Sequence, residues 1–160
     1  NSWSFINSGF NLRPTDISAA IGNSQIKKLN HIIKIRKKNF KSIRKALLND
    51  RNFSNKFDIL EENSSNNIVW FGIPIILKSI KKNYKAKVTN KLNKFGIVTR
   101  PLISGNFVNQ PAIKLYNLKI NDDLKNADFI DKNSFFIGLH NTITTNKSIN
   151  YIKKALFASL

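Results

Sequence analysis

Gly9-Phe10-Asn11-Leu12-Arg13-Pro14-Thr15-Asp16-Ile17-Ser18-Ala19-Ala20-Ile21-Gly22 is the stretch from which the fold is read. Pro14-Thr15-Asp16 predicts a helix start. Proline is tolerated in a first turn, and an aspartate there suits the positive end of the helix dipole. Ile17, Ala20 and Ile21 then recur at helical spacing. Gly22-Asn23 weakens that pattern and predicts a bend, and residues 1–13 read as an irregular lead-in.

Working outward, Leu29, Ile33, Phe40, Ile43 and Leu47 share one face of a second, longer helix. Lys27, Lys28, Lys34, Arg36, Lys37, Lys38, Lys41, Arg44 and Lys45 occupy much of the rest, which reads as a solvated basic surface. His31, within it, reads as a surface residue. Residues 49–67 are polar and read mostly as a connection. Val69 to Leu77 is nearly continuous apolar sequence and predicts a buried strand, with Pro74 marking an edge or bulge. Val88, Leu92 and Phe95 predict a helix that ends at Gly96, a residue suited to a left-handed cap. Ile97 to Ile103 reads as a strand interrupted by Pro101, residues 121–132 as a short helix, and Phe135 to Leu139 as a short strand. Ile149, Ile152 and Leu156 mark a closing helix capped by Thr145 or Asn146. This order predicts an α/β domain with helices packed on a small sheet.

The chain has 160 residues, a length suited to one domain, and 41% hydrophobic residues, enough for a core. It has no Cys, which excludes a disulfide framework, a thiolate zinc site and a cysteine-bound iron–sulfur cluster. No apolar run approaches the ~20 residues of a membrane span, and Asn1 to Phe10 lack the pattern of a signal peptide. The expectation is a cytoplasmic protein without a membrane partner. There is no Met either, and the chain opens at Asn-Ser-Trp, so a fragment lacking an N-terminal portion is expected. Twenty-seven Lys and Arg against nine Asp and Glu give a net charge of +18, a field that attracts polyanions. Abundant Lys, Asn and Ile also arise from AT-rich coding sequence, and no nucleic-acid-binding signature accompanies the charge. Nucleic acid is not the expected partner; a basic polyanion-binding module is the rival reading.

The opening phrase, continued by Gln25-Ile26-Lys27-Lys28-Leu29, resembles a hallmark of the DegT/DnrJ/StrS aminotransferase family. Three further phrases follow in the family's order: Trp70-Phe71-Gly72-Ile73-Pro74, Gly96-Ile97-Val98-Thr99-Arg100-Pro101-Leu102-Ile103-Ser104-Gly105-Asn106-Phe107, and Asn126 to Asn133 running into Phe136-Ile137-Gly138-Leu139-His140. Within the family they are most like the GDP-4-keto-6-deoxymannose 3-dehydratases, except that the subgroup's Gly-Asn-His is Gly138-Leu139-His140 here. The resemblance implies the C-terminal small domain, over residues 1–160, of a fold type I enzyme. Such enzymes use pyridoxal 5'-phosphate or pyridoxamine 5'-phosphate (PLP or PMP), work as homodimers, and carry the cofactor-anchoring Lys or His on a large N-terminal domain. It further implies a nucleotide-diphosphate sugar as substrate, an amino donor such as glutamate, and a part in surface polysaccharide synthesis by transamination or 3-dehydration. No catalytic residue is expected within this stretch.

The resemblance also implies site residues. The family's counterpart of Asn11 reaches across the dimer to the phosphate of the neighbouring cofactor. An amide at Asn11 and a planar guanidinium at Arg13, both just before a helix start, suit an anion. Their plainer roles are a turn residue and an exposed arginine. Arg100, between hydrophobic residues, is either the ligand of an anion or the partner of an acidic side chain. The anion would be the carboxylate of the amino donor or the sugar diphosphate. Asn106 and Phe107 offer an amide and a ring face to substrate, or simply complete a turn at Gly105. His140 is a further candidate for substrate contact, against a structural role.

Overall fold

The computed structural model describes residues 4–7, 9–10, 14–60, 66–79, 81 and 83–160. Its elements run α1 (Asp16–Ile26), α2 (Leu29–Leu48), α3 (Arg51–Ser54), β1 (Phe57–Asp58), β2 (Gly72–Leu77), α4 (Tyr84–Lys94), β3 (Thr99–Arg100), α5 (Lys125–Asn133), β4 (Ser134–Gly138) and α6 (Asn146–Ala158), with two short 3-10 turns at Phe107–Asn109 and Pro111–Leu115. The strands form one antiparallel sheet in the order β1-β2-β4-β3. This is the α/β domain that the sequence pattern predicts.

The core lies on one face of that sheet. Ile73, Ile75 and Leu77 alternate along β2, and the register sets Ile73 opposite Ile137 and Ile75 opposite Phe135. A strand points successive side chains to opposite sides, so these five share a face. Phe40, Ile43 and Leu47 of α2, Val88 and Leu92 of α4, and Ile149, Ala155 and Leu156 of α6 close over it. Phe53 and Phe57 stack at the end of the sheet with ring centroids 4.9 Å apart. Asp50, which caps α3, also pairs with Lys153 of α6 at 2.8 Å.

Thr145 caps α6, its hydroxyl accepting from the Ser148 amide at 3.2 Å. Thr145→Ala is expected to cost about 1 kcal/mol, as loss of a side-chain cap does, read as a lower urea midpoint with unchanged slope. An unmoved midpoint would mean that water replaces the cap without loss.

Several sequence expectations change. Gly22 does not bend α1, which runs on to Ile26; the break comes at Lys27-Lys28. Residues 49–67 are not only a connection, because α3 and β1 lie within them. Four and two residues long, they are too short to show periodicity. The strand expected over Ile97 to Ile103 shrinks to Thr99–Arg100, because Pro101 has no N–H for a ladder and Ile103 adopts φ +46°. Pro74 sits in an inner strand, yet β1 pairs only with Ile76 and Leu77, so its β1 side carries no ladder at that point.

The predicted apolar face of α2 is buried only from Phe40 onward, and Leu29 is exposed. No residue of α1 is buried, and Ile17 and Phe10 stand 76% and 93% exposed. The described residues of the opening segment and α1 therefore stand outside the core. Among the described residues, no helix is long and apolar enough to cross a membrane.

Candidate functional site

Arg100 and His140 come together. Both line a cavity of about 580 Å³ at the end of the sheet, with Arg36, Phe71, Val98 and Phe136 among its walls. Arg100 lies opposite Phe136 across the β3–β4 pair, with Thr99 opposite Ile137, so Arg100 points away from the core face. It is exposed, and among the described residues its side chain meets no hydrogen-bond or ion-pair partner, while its main chain belongs to the β3–β4 ladder. The acidic partner that sequence reasoning left open is not found there, and the guanidinium keeps its donors for a ligand. Phe71, 74% exposed, packs edge-on to Phe136 at 5.8 Å.

His140 is exposed on the segment leaving β4. That segment is held by α2. Asn39, 2% exposed, donates its amide to the carbonyls of His140 (3.1 Å) and Thr142 (2.6 Å) and accepts from the Thr144 amide (3.0 Å). One turn earlier, Arg36 donates to the carbonyls of Trp70 (2.7 and 3.1 Å), Phe71 (2.6 Å) and Leu139 (2.9 Å). Arg36 is thus no member of a solvated basic face: it is half-buried and ties the start of β2 to the end of β4. Sequence reasoning missed both residues. Their one sequence signal is position, since each lies a single turn or less from Phe40 on the buried side of the helix.

Asn106 and Phe107 lie apart from that cavity. Asn106 is 4% exposed; its amide donates to Asp128 at 2.7 Å and its oxygen accepts from the Val108 amide at 3.4 Å. Its observed task is to hold the loop. Gly105 before it adopts φ +62°, and a Cβ there would run into the Asp131 carboxylate, so only glycine fits. Phe107 sits with its ring 6.3 Å from Phe5. The lead-in docks here: the Phe5 amide donates to the Gln110 side chain (3.0 Å) and its carbonyl accepts from the Ala112 amide (2.7 Å). Asn11 and Arg13 lie outside the described residues.

Hydrogen bonds from Asn106 and then Asn109, with help from Lys132, hold the Asp128 carboxyl below its ordinary value of 3.8. A depressed folded value contributes stability above the unfolded value and loses it as pH falls through the folded one. Asp128→Asn is therefore expected to flatten the acid limb of a melting-temperature profile below about pH 4. Parallel limbs for the two proteins would contradict the assignment. Nearby, burial pushes the Lys85 ammonium down, partly offset by Asp131, whose main-chain carbonyl accepts from Lys85. Among the described residues, no group of His, Asp and Glu could hold a metal ion.

The model of the DegT/DnrJ/EryC1/StrS aminotransferase family matches residues 1–156. The chain belongs to this family. A GDP-4-keto-6-deoxy-D-mannose 3-dehydratase of Yersinia pseudotuberculosis is 36% identical over 87% of this chain and 34% of its own. Two crystal structures of GDP-4-keto-6-deoxymannose-3-dehydratase superpose on 97% of this chain and 39% of theirs. A variant with bound GDP-perosamine does so at TM-score 0.74 and 31% identity; a complex with a trapped PLP–glutamate geminal diamine does so at 0.76 and 30%. The chain thus spans little more than a third of the length of these relatives, and it carries the partial α/β architecture that such family members share.

Proposed function

We propose that this chain is the C-terminal domain of a PLP- or PMP-dependent enzyme acting on a nucleotide-linked 4-keto-6-deoxy sugar, in the synthesis of a surface polysaccharide in the cytoplasm. The observation that carries the reading is the cavity shared by Arg100 and His140, lined by an Arg100 guanidinium that has no partner among the described residues, in a chain of this family. Relatives at 30% identity and above are named as 3-dehydratases, and this favours 3-dehydration over transamination. The two outcomes diverge at the cofactor-anchoring position on the other domain, where a Lys forms a Schiff base and a His only moves protons.

The residues of this chain suit the rim of such a site. An exposed opening segment, with Phe10 and α1 outside the core, fits a stretch that docks on another chain or domain. On it, Asn11 and Arg13 would hold the cofactor phosphate of a partner subunit by charge-assisted hydrogen bonds in a homodimer. When bound, the cofactor supplies an electron sink for bond breaking at the sugar. Arg100 orients substrate through its carboxylate or diphosphate oxygens. His140 contacts the substrate beside it. Asn106 and Phe107 shape the neighbouring loop, and Phe71 and Val98 exclude water from one wall.

The test supplies the intact protein with PLP, glutamate and a GDP-linked 4-keto-6-deoxyhexose. A 3-deoxy sugar is expected, and an amino sugar would select transamination. Failure of the protein to bind or turn over any nucleotide sugar, together with salt-sensitive binding of generic DNA, would instead favour a polyanion-binding module.

A further inference from the structure

We infer that Asn39, outside the family phrases quoted above, is the positioning residue that sets His140 against substrate. The inference rests on the reading of His140 given above. An amide at this point meets two carbonyl acceptors and one N–H donor, within three residues on either side of Asn141. Only a side chain with both a two-donor nitrogen and an acceptor oxygen satisfies all three. The segment after β4 forms no regular element until α6 begins at Asn146, so its path is not set by a backbone ladder. A buried, fully used amide substitutes for that ladder. Arg36 fixes the adjoining Leu139 carbonyl, so the segment swings about a held point if Asn39 is lost.

The choice of Asn over its isostere has a definite consequence. Asn39→Asp keeps the acceptor for the Thr144 amide but turns a carboxylate toward the His140 and Thr142 carbonyls. Protonation of that carboxyl restores a donor to one of them. The defect of Asn39→Asp is therefore pH-dependent and eases as pH falls toward the carboxyl's own titration, whereas that of Asn39→Leu is not.

The experiment uses the intact enzyme and compares wild type, Asn39→Asp, Asn39→Leu and His140→Ala. KM for the nucleotide sugar and kcat are followed across pH, with cofactor retention and melting temperature beside them. A displacement of about 1 Å at a site can cost about a hundredfold. KM is expected to rise at least about tenfold in both Asn39 variants, with cofactor retention unchanged. The Asp variant should approach wild type measured at the same pH as the medium is acidified. If His140→Ala raises KM but the folded Asn39 variants leave it unmoved, or if Asp and Leu share one pH profile, the inference is overturned. If His140→Ala itself changes nothing, the reading of the site fails first. Should Asn39→Leu not fold, the pH profile of Asn39→Asp decides alone.

Discussion

On the proposed reading, replacing Arg100 with Ala in the intact protein is expected to raise KM for the anionic substrate it would hold, amino donor or nucleotide sugar, by about 30- to 5000-fold. The figure corresponds to the roughly 2–5 kcal/mol lost when one partner of a hydrogen-bonded charge pair is truncated. The melting temperature is expected to hold, because the Arg100 side chain is exposed and lacks a partner among the described residues. Arg100→Lys should recover only part of the loss, since an ammonium keeps the charge but not the planar two-point grip. Whichever of the two KM values moves identifies the ligand. Arg100→Lys with unchanged kinetics toward both substrates would remove Arg100 from the site.

The second large effect is expected at the start of the chain. On the proposed reading, Asn11→Ala and Arg13→Ala would each remove a hydrogen bond to a charged phosphate, worth about 1.5–3 kcal/mol. Each should weaken cofactor retention by roughly 10- to 150-fold at constant concentration. The loss should appear in equilibrium dialysis against PLP and should leave the melting temperature of the cofactor-free protein in place. The physical setting supports this separation of effects: α1 contributes nothing to the core, and its neighbour Phe10 is almost wholly exposed.

Much of this was legible in the chain itself. α2, α4, β2, β4 and α6 follow from apolar spacing, because each lays one face on a shared core. The cap of α6 was readable as Thr145 or Asn146 from residue type and place, and Thr145 takes it. What escaped is non-local. β1 exists only because Phe57 and Asp58 find Leu77 and Ile76 across the sheet. Arg36 sits among lysines in a basic helix, and beyond its place one turn before Phe40 nothing in its neighbours tells that carbonyls from Trp70, Phe71 and Leu139 converge on it. Asn106 resembled a ligand-facing amide, yet Asp128 takes its donor after a chain separation that no local pattern reveals. Arg100 and His140 were found as single residues within phrases; only the pairing of β3 with β4 shows that they face one cavity.

The shared site is tested most directly by mixing two inactive proteins. One carries Asn11→Ala and Arg13→Ala; the other is inactivated at the cofactor-anchoring residue of the large domain. At a PLP concentration that fills the wild-type protein but not the Asn11→Ala, Arg13→Ala protein, each proposed homodimer is expected to be inactive in both sites. In a mixed dimer one site takes both lesions and the other takes neither, so unfolding and refolding the two together should return roughly a quarter of wild-type activity. A mixture that stays inactive while size measurements show mixed dimers would contradict the claim that the opening segment of one subunit completes the site of the next.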